Sequence, residues 1–195
     1  MPRRAQQKLA REKVFDVAAE LFYRDGIRAV GVERIVQEAG VAKISLYRSF
    51  PSKDDLIVAY LENRRAEFWR QWDEAFDRYA AEPRAQLRAI MTYLAHRTTQ
   101  HRYRGCPFIN FCAEFPDVSH PGRRVAAAIK REMRQRFEQL AQALGAPNPR
   151  RLANALSLLV EGAYAISQTF GTGSESPATA LAWAAETLIE AHLAA

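Results

Sequence analysis

Residues 26–60, GIRAVGVERIVQEAGVAKISLYRSFPSKDDLIVAY, constrain this chain more than any other stretch. Two short amphipathic segments flank a glycine turn, and a third helical segment follows at once. Ile35, Val36 and Ala39 fall at helical spacing and form the buried stripe of the first segment. Gly31 is its N-cap, and Gly40 suits the left-handed turn that stops it. Val41 plugs the inside of that turn. Leu46 and Phe50, four apart, pack the second segment back inward. Pro51 ends it, and Ser52 caps the next helix with Asp55 as a weaker form of the capping box. This is the pattern of a helix-turn-helix, which buries one side of two short helices and frees a face for the DNA major groove.

Subtracting the inward set leaves Lys43, Ile44, Ser45, Tyr47, Arg48 and Ser49 as the outward face of the second helix. Arginine suits guanine edges, an apolar side chain such as Ile44 suits a thymine methyl, and Ser, Tyr and Lys suit phosphate oxygens. Lys53, at the start of the third helix, has backbone N–H groups beside it that also point at anions. With Arg28 and Arg34 these residues make up the expected DNA-contacting set. Charge agrees: of the net +6, residues 1–53 carry 11 Lys/Arg against 6 Asp/Glu, and residues 54–195 carry 17 against 16. The basic excess coincides with the motif. The arm with Arg3, Arg4, Lys8 and Arg11 extends that basic patch.

Extending the reading to REKVFDVAAELFYRDG upstream, the segment resembles the DNA-binding domain of TetR-family transcriptional regulators. The resemblance covers about residues 9–60. It rests on AAELF, the Gly26 turn, I-V-x-x-A-G-V and LYRSFPSKDDL, in that order. It implies an all-α homodimer of about nine helices. Residues 1–52 form a three-helix DNA-binding domain, and residues 53–195 a ligand-binding and dimerisation domain. It further implies a repressor held on a pseudo-palindromic, double-stranded operator and released by an apolar or aromatic small molecule. Four positions depart from the common pattern. Gly31 and Ala42 lack capping hydroxyls, Ile44 is larger than usual, and Ser49 replaces an aromatic or His. A lost cap costs about 1 kcal/mol.

The rest of the chain is helical and clearly punctuated. Proline follows a plausible cap at Glu82-Pro83, Cys106-Pro107, His120-Pro121, Asn148-Pro149 and Ser176-Pro177, where its missing N–H costs nothing. Helices are expected over 5–24, 32–39, 43–50, 53–80, 83–102, 107–115, 121–144, 149–170 and 177–194. Leu152, Leu156, Leu159, Ala163 and Ile166 repeat at helical spacing, as do Leu181, Ala184 and Leu188. In similar proteins these two helices form the dimer surface, so these eight are the expected interface. From the aromatic-rich middle, Trp72, Phe111, Cys112, Phe137, Tyr164 and Gln168 are the expected pocket. Glu161 stands alone in LSLLVEGAYAI and is expected either to pair with an arginine near the bundle surface or to fix a polar group of a ligand.

No P-loop, G-x-G-x-x-G or G-x-S-x-G is present, so no enzyme and no cofactor is expected. His96, His101, Cys106 and Cys112 lack the short pairs that zinc sites use, and are expected as surface histidines and packed cysteines. With no apolar leader, no membrane-length run and two cysteines, the expected compartment is the cytoplasm and no membrane partner is expected. The alternative function is a regulator of the same fold without a small-molecule effector, controlled by a protein partner or by thiol or metal chemistry.

Overall fold

The structure is a computed structural model, and it describes residues 3–79, 82–171 and 173–194. In chain order the described residues form α1 (Arg3–Asp25), α2 (Val32–Ala39), α3 (Lys43–Ser49), α4 (Lys53–Phe76), α5 (Pro83–Thr99), α6 (Pro107–Glu114), α7 (Pro121–Ala143), α8 (Pro149–Phe170) and α9 (Leu181–Leu193). The all-α expectation is met, with no strand among the described residues. None of the described helices is long and apolar enough to cross a membrane.

Three ends differ from expectation by more than two residues. The helix expected over 53–80 stops at Phe76 and tightens into a 3-10 turn, Asp77–Tyr79. The helix expected to reach 102 stops at Thr99, because Gln100 turns to extended backbone (ψ 140°), and Arg102 beyond it adopts a left-handed φ of 72°. The last helix opens as a 3-10 turn, Pro177–Ala180, before α9 proper. Tight turns of this kind are common at helix ends.

The chain folds into two compact units. The first comprises Met1–Ala66 and Pro107–Ala127. Its core takes Val14, Ala18, Leu21 and Phe22 from α1, Ile35 from α2, Leu46 from α3, and Leu56, Ile57, Tyr60 and Leu61 from α4. Phe22 meets Tyr60 edge-on at 5.6 Å. Phe108 and Phe111 of α6 join the same core. Gly122, at the start of α7, is required by close approach: a Cβ there would lie 2.5 Å from Phe111 Cζ and 3.0 Å from Leu61 Cδ1.

The second unit comprises Glu67–Cys106 and Ala128–Ala195. Here α9 packs on α5 and α8. Phe68, Trp69, Trp72 and Phe137 form an aromatic cluster with centroids 4.9–5.9 Å apart. The Arg136 guanidinium lies 4.0 Å above the Trp69 ring and pairs with Asp73 at 2.5 Å. Arg84 ties α5 to α9 through Glu186 and Glu190. Two helices, α4 and α7, run through both units.

Candidate nucleic-acid interface

The helix-turn-helix is built by backbone geometry more than by side-chain caps. Gly31 and Ala42 start α2 and α3 from extended backbone, and neither start has a side-chain cap. Gly40 is left-handed (φ 63°, ψ 37°). Its N–H reaches the Gln37 carbonyl at 3.2 Å, and the next N–H, of Val41, reaches Val36 at 3.1 Å. These two bonds close α2 and aim α3. Leu46 is fully buried and Phe50 nearly so, which seats α3 on α1. The Arg11 guanidinium lies 5.0 Å over the Phe50 ring. Lys8 is exposed on α1 beside Glu12, and the side chains of Arg3 and Arg4 lie outside the described residues.

With the inward face fixed, the outward one follows. Ile44 is 60% exposed and Tyr47 42%, and their spacing of three puts them side by side on one face of α3. Arg48 is exposed and has no ion pair among the described residues. Lys43 is exposed and pairs with Glu33, whose hydrogen bond raises its pKa. Ser45 and Ser49 are half-buried, and the Ser49 hydroxyl donates to the Ser45 carbonyl at 3.1 Å. Ile44, Tyr47 and Arg48 are therefore the free groups of the reading face, flanked by Lys43.

The other three expected contacts are engaged within the protein. Arg34 bridges Glu38 at 2.8 Å and Asp25 at 2.7 Å. Arg28 lies 5.5 Å above the Phe115 ring, while its backbone N–H donates to Glu114 Oε2 at 2.7 Å. Lys53 is half-buried: its ammonium donates to the Ile27 carbonyl at 2.8 Å and lies 5.9 Å from the Phe22 ring centroid. Burial lowers its pKa, against an opposing pull from Glu114 and Asp54. Glu114, 86 residues from Arg28, is absent from the sequence-derived set, and no spacing signal points to it. Ser52 caps α4 as expected: it accepts the Asp55 N–H at 3.0 Å and donates to the Asp55 carboxylate at 2.7 Å.

The expected pocket residues are divided between the two units. Phe111 and Cys112 belong to the first unit, and Trp72, Phe137, Tyr164 and Gln168 to the second. Trp72, Phe111, Phe137 and Tyr164 are core side chains, filled around by neighbours. Burial holds the Tyr164 phenol well above its ordinary pKa. The Gln168 side chain lies against Gly105. The second unit carries a groove of about 590 Å³ lined by the end of α4, the 3-10 turn after it and α5, and none of the six lines it. Glu161 pairs with Lys130 at 2.5 Å rather than with an arginine, since α7 presents Lys130 at that level. The same ammonium is 3.6 Å from Cys106 Sγ. No cluster of three potential metal ligands occurs among the described residues.

The expected dimer set divides by burial. Leu152, Leu156, Ala163 and Leu181 are buried inside the protomer, because α5 and α9 cover that side of α8. Leu159, Ile166, Ala184 and Leu188 are half-buried. The large exposed apolar side chains on α8 and α9 are instead Leu158 (72% exposed), Phe170 and Trp183 (72% exposed).

The arrangement has known counterparts. The family model for bacterial regulatory proteins of the tetR family matches residues 14–60. A TetR-family transcriptional regulator from Streptomyces coelicolor, of known crystal structure, is 29% identical with a TM-score of 0.84, over 96% of this chain and 95% of that one. A second crystal structure, of a TetR-type regulator from Streptomyces avermitilis, is 31% identical with a TM-score of 0.79, over 94% of this chain and 97% of that one. The HTH-type transcriptional regulator YjdC of Escherichia coli is 26% identical over 156 residues, 79% of this chain and 81% of its own.

Proposed function

The chain belongs to the TetR family of transcriptional regulators, and from that premise we propose a cytoplasmic repressor that a small molecule releases from its operator. DNA binding and control of transcription come with the family; enzymatic activity does not. In this reading a homodimer spans a pseudo-palindromic operator, residues 1–52 read it, and residues 53–195 pair the protomers and take an apolar or aromatic effector. The observation that carries it is the α3 face, with Ile44, Tyr47 and Arg48 exposed on a helix whose other side is locked by Leu46 and Phe50. Arg48 and Ile44 read base edges, while Tyr47 and Lys43 hold phosphates, Lys43 exchanging Glu33 for the DNA.

Release acts through spacing. Two half-sites of a two-fold operator lie one helical turn, about 34–36 Å, or a multiple apart. An effector that displaces α4, which only three residues separate from α3, changes the separation of the two reading helices. Only one half can then stay in register.

Footprinting on DNA upstream of the protein's own gene is the test. The expected result is a two-fold symmetric protected block whose affinity falls steeply with salt, as phosphate contacts require. Tyr47→Ala is expected to weaken that footprint about a hundredfold with unchanged helical content, the loss of about 1.4 kcal/mol of contact in each half-site. Uniform, sequence-independent protection would sink the reading.

A further inference from the structure

We propose that the groove beside α5 is an anion site, shaped to take the carboxylate of an aromatic acid as effector. This rests on the ligand-released reading for its purpose, and on Arg97 for its chemistry. Arg97 is half-buried near the end of α5, and among the described residues no carboxylate is within ion-pair reach of it. Its surroundings are the hydroxyls of Tyr164, Tyr93 and Tyr103, and the Phe68 ring at 5.7 Å. Burial alone disfavours this guanidinium, the three tyrosines more than offset that and hold it charged, and it therefore offers a fixed positive charge to an arriving anion.

The path from this cation to open space is printed in the hydrogen bonds. Arg97 Nη1 donates to the Tyr93 hydroxyl at 3.3 Å, and that hydroxyl donates to Gln71 Oε1 at 2.5 Å. Both Tyr93 and Gln71 line the groove of about 590 Å³, a volume within the range of small-molecule sites. An incoming carboxylate takes the place of Gln71 Oε1 as acceptor for the Tyr93 O–H. The guanidinium behind Tyr93 polarises that donor and strengthens the bond. The groove walls favour an anion as well. Arg78 is exposed and has no ion pair among the described residues, whereas Arg88, also on the groove, is paired with Glu186 at 3.3 Å. The groove's carboxylate, Glu74, is held by Arg70 at 2.6 Å. Tyr79 and the methyl groups of Ala75, Ala85 and Ala89 supply the apolar floor for a ring.

The probe is 2-naphthoate, with 2-naphthamide as its neutral isostere, titrated calorimetrically into the full chain. Naphthoate is expected to bind at least tenfold more tightly than the amide. Tyr93→Phe removes the donor and keeps the ring, so it is expected to weaken naphthoate about tenfold and leave the amide unchanged. Arg97→Met is expected to do the same, and Tyr93→Phe stands alone if that variant fails to fold. Equal binding of acid and amide, no naphthoate binding at millimolar concentration, or full naphthoate affinity in Tyr93→Phe would each overturn the anion site. Footprinting keeps the two readings apart. If naphthoate binds through Tyr93 but leaves the operator occupied, the site stands and effector release fails. If release occurs with charge-independent ligands that ignore Tyr93→Phe, release stands and the anion site fails.

Discussion

Asp25 ends α1 and holds two arginines, Arg24 at 2.8 Å and Arg34 at 2.7 Å, so one carboxylate joins α1 to α2. The Arg24 hydrogen bond, opposed by some desolvation and assisted by Arg34, lowers its pKa from 3.8 to about 2. A carboxylate depressed on folding stabilises the native state above its unfolded pKa and loses that contribution as pH falls through the folded one. The α1–α2 junction is therefore expected to weaken between pH 4 and pH 2, read as a falling Tm. Asp25→Asn, which has no charge to lose, is expected to flatten the curve in that window. Acid dependence identical to the parent would remove Asp25 from the account. Single residues were unevenly legible in the sequence. Leu46 and Phe50 follow from spacing within one helix, whereas the Glu114 bond to Arg28 joins positions 86 apart and leaves no local trace.

The elements were the most legible level, because proline and glycine mark their ends by fixed backbone rules. Every expected helix is present, and the larger departures are two 3-10 turns and the early end of α5 at the extended Gln100. Faces were harder. A stripe of Leu and Ala on α8 reads the same whether α9 or a second protomer covers it, which is why Leu152 and Leu156 proved to be interior. Aromatic spacing likewise cannot separate a filled core from a cavity, so Trp72 and Phe137 packed against each other while the groove formed elsewhere. The shortest of the described α-helices is α3, seven residues from an N-cap with no side-chain bond. Ala42 already has extended backbone, the conformation a capping serine needs. Ala42→Ser is thus expected to raise stability by about 0.5–1 kcal/mol, measured as a higher denaturant midpoint at constant slope. A lower midpoint would mean that the hydroxyl cannot reach the Lys43-to-Ser45 turn.

At the scale of the molecule, the proposed dimer needs an apolar face, and α8 and α9 expose Leu158 and Trp183. Trp183→Glu is expected to shift the protein towards monomer in analytical ultracentrifugation with helical content unchanged; an intact dimer would place the interface elsewhere. Two-fold pairing also changes what the exposed face of α3 implies. Ile44, Tyr47 and Arg48 hold nothing inside the protein together, so they can vary without threatening the fold. A homodimer applies each such change to both half-sites at once. A substitution that weakens one half-site tenfold weakens the whole operator about a hundredfold, since the two free energies add. Divergence to a new operator then becomes abrupt, because old and new sites are quickly separated by more than one protein can bridge.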